Sequence, residues 1–389
     1  MSKSITPGQI KQNNLSQIYH HIYKNPGKSM QEISYELRLS RPTVANNLSE
    51  LEKEGLIQKS GYITSDQVGR KAAAYTIRSD YRTALGIELT GSRIKMVCID
   101  LNGDLMKRST VSLPFQMNSR YYKTACDSIR AFVDELSLTT EQILGIGIAV
   151  PALVSPDGEA VTWGKIIDCA GMKIDEFRSL LPWKCRFYHD AACAALSEVW
   201  ASPMRRNFIY LMIGRHFGGA AIENGRVLFG KSGHFAAFEH IRFEKGKADR
   251  LCYCGNRGCL ETVISMSALL RDGESAEDFF LKLRDGSKEN TARWQEYLNN
   301  MAAFLSRSHM VLDIDYVLGG YLAPYLTEED ISFLKNEIAK TDPFNDTSDF
   351  LHIGKVSRHN VTIGAALSYI SAFLEGNDPI QNTDRIGAN

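Results

Sequence analysis

The sequence predicts an α/β protein in two parts, a small winged helix-turn-helix domain followed by a larger two-lobed α/β body. Three observations lead there. The chain opens with three short apolar stripes at helical spacing, followed by two strand segments around a polar loop. Beyond residue 81, strand hairpins alternate with helices, the pattern of two lobes flanking a cleft. Finally, three cysteines and two glycines crowd into the eight positions from Cys252 to Cys259.

A chain of 389 residues, 44% hydrophobic and 23% charged, is long enough for more than one buried core and is globular in composition. The longest apolar run, residues 143–154, is broken by Pro151 and falls short of the roughly 20 residues needed to span a bilayer. The polar first 14 residues carry no secretion signal, so a cytoplasmic protein with no membrane partner is expected. In such a setting the eight cysteines argue against a disulfide framework. Net charge is zero, but residues 1–80 hold eleven Lys and Arg against seven Asp and Glu. A basic first domain on an acidic body points that domain toward nucleic acid, although a solvated basic face has the same composition.

In the first helix Leu15, Ile18, Tyr19 and Ile22 face one way. Ser29 and Glu32 form a capping-box signal for a second helix carrying Ile33 and Leu37. Ser40 is placed to cap a third helix from Arg41 to about Glu54, with Gly55 as its stop. Val44, Leu48 and Leu51 make that helix's inner stripe, leaving Thr43, Asn46, Asn47 and Glu50 as a polar face. Such a face suits a recognition helix, because Asn both donates to and accepts from an adenine edge. Arg41, Thr43, Asn46 and Asn47 are therefore the expected DNA contacts. Strands at residues 56–59 and 74–77 would flank a wing whose Arg70 and Lys71 meet phosphates or a minor groove.

In the body, residues 84–89, 93–100 and 143–150 read as strands, as do 208–213 and 218–222 with the turn Glu223-Asn224-Gly225. Helices are expected near 121–136, 191–200, 266–283, 292–311 and 361–373. The loop Cys252-Tyr253-Cys254-Gly255-Asn256-Arg257-Gly258-Cys259 brings three thiols together. His240, twelve positions earlier, completes a tetrahedral His and three Cys set for one structural zinc per chain, with His234 as second choice for the fourth place.

The zinc loop with Leu260-Glu261, the segment Gly145-Ile146-Gly147-Ile148-Ala149-Val150-Pro151, and His189-Asp190-Ala191-Ala192 resemble the ROK family of repressors and sugar kinases. The winged region with Gly69-Arg70-Lys71 resembles that family's regulator branch, so the likeness spans almost the whole chain. It implies a two-lobed actin-like, hexokinase-like ATPase fold after a winged domain at 1–80. The first lobe would cover 81–195, with a helix at about 360–375 packing back on it. The second lobe would cover 196–359 with the zinc site and an oligomerisation surface, in a homodimer or dimer of dimers.

Departures from the family pattern bear on function. Where the kinases have Asp-x-Gly-x-Thr, this chain has Glu88-Leu89-Thr90-Gly91-Ser92, which places a β-branched side chain where phosphates need close backbone approach. The second phosphate region, Gly214-Arg215-His216-Phe217-Gly218-Gly219, is poorer in glycine at its start. Asp190 matches the kinase base and also suits a hydroxyl acceptor or a helix cap. His189 stands for Asn, and Asp168 matches an Asn that contacts sugar. The usual Gly-Glu-x-Gly-His reads Ala236-Ala237-Phe238-Glu239-His240, so the Glu is lost to Ala237 and Glu239 is a partial substitute. The resemblance thus implies an effector site of Asp168, His189, Asp190, His240 and Glu261, altered in specificity. The expected protein is a repressor that binds a double-stranded operator under control of a sugar or sugar phosphate, and not an enzyme. An ATP-dependent sugar kinase and a regulator gated by a protein partner are the alternatives.

Overall fold

The computed structural model describes residues 7–63, 72–243, 250–344 and 349–375. At the N-terminal end, α1 (Pro7–Lys24), β1 (Lys28–Ser29), α2 (Met30–Leu37), α3 (Arg41–Lys53), β2 (Ile57–Ile63) and β3 (Ala72–Ile77) form the winged domain. Ile18, Ile22, Ile33, Val44, Leu48 and Leu51 are its buried centre. The capping box is present: the Glu32 N–H donates to Ser29 Oγ at 3.3 Å and the Ser29 N–H donates to Glu32 Oε2 at 2.8 Å. Ser40 Oγ accepts the Thr43 N–H at 3.3 Å and starts α3. β3 pairs antiparallel with β2 on one side and β1 on the other. Arg70 and Lys71 lie outside the described residues.

The body contains two five-stranded sheets. The first is built from β4 (Thr83–Leu89), β5 (Arg93–Asp100), β6 (Leu105–Ser112), β7 (Ile143–Val150) and, after the small hairpin β8 (Leu153–Val154) and β9 (Val161–Trp163), β10 (Cys185–His189). α4 (Ser119–Asp134) and the short α5 (Asp175–Arg178) lie against it. α6 (Asp190–Ala201) then leads into β11 (Phe208–Ile213), β12 (Phe217–Glu223) and β13 (Arg226–Leu228). α7 (Glu261–Ile264), α8 (Met266–Leu269), α9 (Ala276–Arg284) and α10 (Lys288–Leu312) precede β14 (Tyr316–Gly319). α11 (Glu328–Ala339), β15 (Leu351–Ile353) and α12 (Asn360–Glu375) complete the described elements. The sheet orders are β10-β7-β4-β5-β6 and β13-β12-β11-β14-β15. Counting strands within each lobe, both orders are 3-2-1-4-5, so one topology occurs twice.

The last helix of each lobe crosses to the other. α6 lies against β11 and β12, α12 lies against β4 and β7, and the two helices pack on each other between the sheets. Glycines allow this. A Cβ at Gly364 on α12 would lie 1.7 Å from the Cys193 carbonyl oxygen of α6, and one at Gly86 on β4 would lie 1.7 Å from the Thr362 oxygen. A Cβ at Gly147 on β7 would meet the Ala365 oxygen at 2.2 Å. α12 thus packs on β4 and β7, and residue 195 falls inside α6.

The winged domain is seated on the far ends of the same two helices. Tyr19 meets Phe373 of α12 edge to face with centroids 6.4 Å apart, and Tyr23 lies 6.4 Å from Trp200 of α6. Residues of both units share one hydrophobic core.

Two expected elements differ. The Asn-Gly turn, with Asn224 at φ 53° and Gly225 at φ 78°, joins β12 to the short β13, and the β11–β12 turn is Gly214 to His216. The helix expected over 266–283 is broken into α8 and α9, because Gly273 takes φ 80° and Ser275 caps a new start through the Asp278 N–H at 3.0 Å. Among the described residues no helix is long and apolar enough to cross a membrane.

The helix seat yields the first prediction. Gly364→Ala should cost about 3 kcal/mol or more through overpacking, against a gain of about 1 kcal/mol in helix propensity. Gly91→Ala, whose Cβ would meet only Ile167 Cγ2 at an ordinary 3.7 Å, should stay within about 0.5 kcal/mol. Thermal melts of the two variants check the contrast.

Candidate effector cleft, metal cluster and DNA-facing helix

The carboxyl ends of the central strands from both sheets open into one cleft of about 970 Å³. Thr90 follows β4, Pro151 follows β7, Asp190 follows β10, Gly214 follows β11 and Gly320 follows β14. This is where an α/β fold places a ligand, since strand ends leave loops free to carry side chains.

Asp190 begins α6 and accepts the Ala191 N–H at 2.8 Å, so it satisfies a helix start while lining the cleft. Burial pushes its carboxyl up to about 7 and Glu88 adds to the rise, while the Ala191 N–H opposes it. His189 Nε2 lies 3.4 Å from Asp190 Oδ1, and burial lowers His189 to about 4, leaving it a neutral ring at pH 7. Glu239 also lines the cleft and is 7% exposed, and its Oε2 has no hydrogen-bond partner. Burial pushes its carboxyl up to about 8. Asp190 and Glu239 are thus poised to exchange hydrogen bonds with hydroxyl groups as donors or acceptors.

Glu261 is placed otherwise. It begins α7, accepts the Phe217 N–H at 2.6 Å and bonds His216 Nδ1 at 2.8 Å, so both oxygens are engaged within the protein. It is therefore a support for the β11–β12 turn, set behind the lining. His240 likewise sits behind the lining, in the metal cluster. Asp168 is exposed at φ 53° and is not among the lining residues, whereas its neighbours Ile166 and Ile167 are. Of the five effector residues expected from sequence, only His189 and Asp190 line the cleft, and Glu239 joins them.

The ligand atoms of His240, Cys252, Cys254 and Cys259 all lie within 4.8 Å of one another, and this group can hold a metal ion. Cys254 Sγ and Cys259 Sγ are 3.7 Å apart and Cys252 Sγ is 3.8 Å from His240 Nδ1. Tetrahedral zinc with 2.3 Å Zn–S bonds sets its sulfur atoms about 3.8 Å apart, so the donor set fits that ion. His234 is exposed and lies outside the cluster. The cluster also aims a ring. Tyr253, held between two of the thiols, lines the cleft with its centroid 5.3 Å from His216, 5.2 Å from His240 and 5.9 Å from Trp163.

At the opposite end, Lys95 Nζ donates to both oxygens of Glu88 at 3.0 and 3.1 Å. The two residues are direct cross-strand partners in the β4–β5 hairpin. Thr90 Oγ1 donates to the Arg93 carbonyl at 2.9 Å and accepts the Arg93 N–H at 3.0 Å, which ties its hydroxyl into its own turn. Lys95, Tyr253 and Arg358 line the cleft and were not expected there, and Arg215 of the second phosphate region lines it as well. The β4–β5 register could have disclosed Lys95, because 88 and 95 face each other once the hairpin turn is centred between Gly91 and Ser92.

On α3, Arg41 and Asn46 are exposed, and Thr43 is half-buried with Oγ1 2.8 Å from Ser40 Oγ. Asn47 does not belong to that face. It is 4% exposed and its Nδ2 donates to the Thr43 carbonyl at 2.7 Å, because the helix turn carries it between the outer face and Leu48 and Leu51. Glu50 is engaged by Lys11 Nζ at 2.8 Å.

Comparison with known proteins follows the same division. Residues 13–58 match a winged helix-turn-helix DNA-binding model and residues 84–367 match the ROK family model. The DNA-binding transcriptional dual regulator NagC of Escherichia coli K12 is 25% identical over 263 residues, 67% of this chain and 64% of NagC. The xylose repressor of Caldicellulosiruptor bescii is 27% identical over 270 residues, 67% of this chain and 66% of the repressor. The chain therefore spans about two thirds of the length of these curated relatives. Among solved structures, a ROK family transcriptional regulator described as a homologue of the E. coli MLC protein superposes with TM-score 0.74 at 20% identity, covering 94% of this chain and 97% of that one. A ROK family glucokinase from Streptomyces griseus, solved with glucose and AMPPNP, covers 73% of this chain and 98% of its own at TM-score 0.63 and 19% identity. The body thus has the fold of these kinases, and with a family match over most of its length the chain belongs to the ROK family.

Proposed function

We propose that this protein is a sugar-responsive transcription repressor whose kinase-like body serves as a sensor. The observation that carries this reading is the continuity between the two ends of α6 and α12. One end of each helix lines the cleft at Asp190 and Asn360, and the other bears the winged domain through Trp200 and Phe373. A ligand that prefers one arrangement of the lobes would shift DNA affinity by its differential affinity for the two arrangements, which is the whole content of such coupling. The repressor names of the relatives and the winged helix-turn-helix match support the same reading. The expected assembly is a homodimer or dimer of dimers on a palindromic operator.

Catalysis is not expected. A kinase carboxylate at the Glu88 position would organise Mg²⁺, and here the Lys95 ammonium already engages both oxygens. Thr90 further restricts phosphate approach. A coupled assay with ATP, Mg²⁺ and a panel of hexoses, pentoses and N-acetyl sugars should show no turnover above background, and robust phosphorylation of any of them would make the protein a kinase.

The metal is proposed to be zinc in a structural role, held by His240, Cys252, Cys254 and Cys259. The four protein donors would leave no open position, and the ion would contribute folding energy and fix Tyr253 in the cleft. Elemental analysis of reduced protein should find about one zinc per chain. Cys254→Ser should lower both the zinc content and the melting temperature.

For DNA, the operator can be obtained by selection from a random duplex library. Asn46→Ala should then lose roughly 1 to 3 kcal/mol at one base position, whereas Asn47→Ala should alter stability more than base preference. The function itself is tested by titrating sugars and sugar phosphates against the protein–operator complex. Asp190→Ala should abolish the response while leaving affinity without effector within about twofold, since the lesion is remote from α3. A full response in that variant would exclude the cleft as sensor and favour gating by a protein partner.

A further inference from the structure

The loop between β15 and α12 carries part of the cleft wall and is bound to α6 through a buried acid. Ser357, Arg358 and His359 of that loop line the cleft. Just ahead of them, the Lys355 N–H donates to both oxygens of Glu198 at 2.9 Å, and the Val356 N–H donates to Oε2 at 3.2 Å. Glu198 is wholly buried on α6 and stands apart from the cleft lining. A carboxylate withdrawn from water is costly unless N–H groups compensate it, so these bonds hold helix and loop together. His359 closes the loop at φ 56°, a left-handed backbone that a non-glycine residue keeps only where its surroundings impose it. Arg108 Nη1 lies 3.0 Å from its Nε2, and its carbonyl accepts the Ile363 N–H at 2.8 Å. The loop is thus pinned at both ends around a strained residue.

The same acid stands near the far end of α6. Trp200, two residues further on, lies 6.4 Å from Tyr23 of α1, and its Nε1 donates to the Asn102 carbonyl at 3.0 Å. A Cβ at Gly103 would lie 2.5 Å from that nitrogen, so the indole is closely held. The cleft therefore reaches α6 twice, at Asp190 and, through the loop, beside Trp200.

We propose that Glu198 is a positioning residue for the switch: it ties the cleft loop to the end of α6 that bears the winged domain, so that displacement of residues 357–359 by a bound sugar shifts Trp200 against Tyr23. This rests on the reading of the cleft as the sensor and names the residue that transmits from it. The link uses both carboxylate oxygens, since they share the Lys355 N–H. In Glu198→Gln one oxygen gives way to an NH₂ group that faces an N–H donor to donor, which loosens the loop without opening a cavity.

Operator titrations of the full-length chain test the proposal, made without sugar and with saturating glucose, xylose, N-acetylglucosamine or one of their monophosphates. The readout is the change that the sugar makes in operator affinity, beside its calorimetric affinity for the free protein. Glu198→Gln should shrink that change about threefold or more, while operator affinity without sugar and the sugar's own affinity each stay within about twofold. Ser308→Ala on α10 is the control for stability alone: it removes the partner 2.5 Å from the buried Tyr316 hydroxyl, and should lower the melting temperature and leave the response intact. In the unaltered chain, amide exchange at Lys355 and Val356 should change about threefold or more when the effective sugar binds. Should Glu198→Gln not fold, that exchange measurement decides alone. A full response in folded Glu198→Gln, or Lys355 and Val356 amides indifferent to a sugar that shifts operator binding, would overturn the role of Glu198 and leave the sensor reading standing. An equal loss of response in Ser308→Ala would overturn it as well. If no sugar or monophosphate changes operator binding by the unaltered chain, the sensor reading fails and this inference with it.

Discussion

Backbone contact between α6 and α12 is the constraint on which the rest of the structure depends. At Gly364 the two helices approach so closely that a single methyl group would overlap a carbonyl oxygen. Gly86 and Gly147 admit α12 to the first sheet in the same way. With α12 seated, its first residues are fixed at the cleft. There the Asn360 amide donates to the Tyr210 hydroxyl at 3.1 Å, and the same hydroxyl accepts the Gly320 N–H at 3.1 Å. Buried Glu198 of α6 accepts the N–H groups of Lys355 and Val356 at 2.9 to 3.2 Å and so fixes the loop that carries Arg358. Interior close packing thus sets where the polar side chains of the site can stand.

The metal cluster and the cleft are joined by the same economy of position. Cys252 and Cys254 belong to the cluster, and the residue between them is part of the cleft wall. Glu261 follows the last thiol by two positions and holds His216 and the Phe217 N–H. Four side chains set behind the lining therefore help to shape the pocket, in the manner of outer groups that orient an active centre.

Much of this was legible in the sequence. Ser29, Glu32 and Ser40 act locally, and so the first helices could be read with their caps. The Cys loop needs only eight residues and two glycines to close, and so its cluster could be read as well. The repeated strand order could not, because β14 and β15 have four and three residues, too few to show a period, and their partners lie far off in sequence. Asn47 illustrates a finer limit. Its polarity groups it with Asn46 on the outer face, whereas helical spacing sets it beside Val44 and Leu51, where it is buried and its amide turns to the Thr43 carbonyl. Glu261 follows the family pattern in sequence and Asp168 stands where that pattern has Asn, yet neither side chain lines the cleft. The His216 ring takes up Glu261, and the left-handed backbone at Asp168 leaves that side chain exposed.

The crossing of the two helices has a mechanical meaning. Since each helix leaves one lobe and lies on the other's sheet, the lobes are joined at two crossings, and a rotation of one lobe about the line between them would carry both helices with it. From the close contact of Cys193 and Gly364, α6 runs on to Ala201 and α12 to Glu375, about 12 and 17 Å. A turn of only about 5° at that crossing would displace the far end of α12 by roughly 1.5 Å, the scale of a helix shift at a switching interface. The winged domain rests on the long arms of two levers whose short arms are in the pocket.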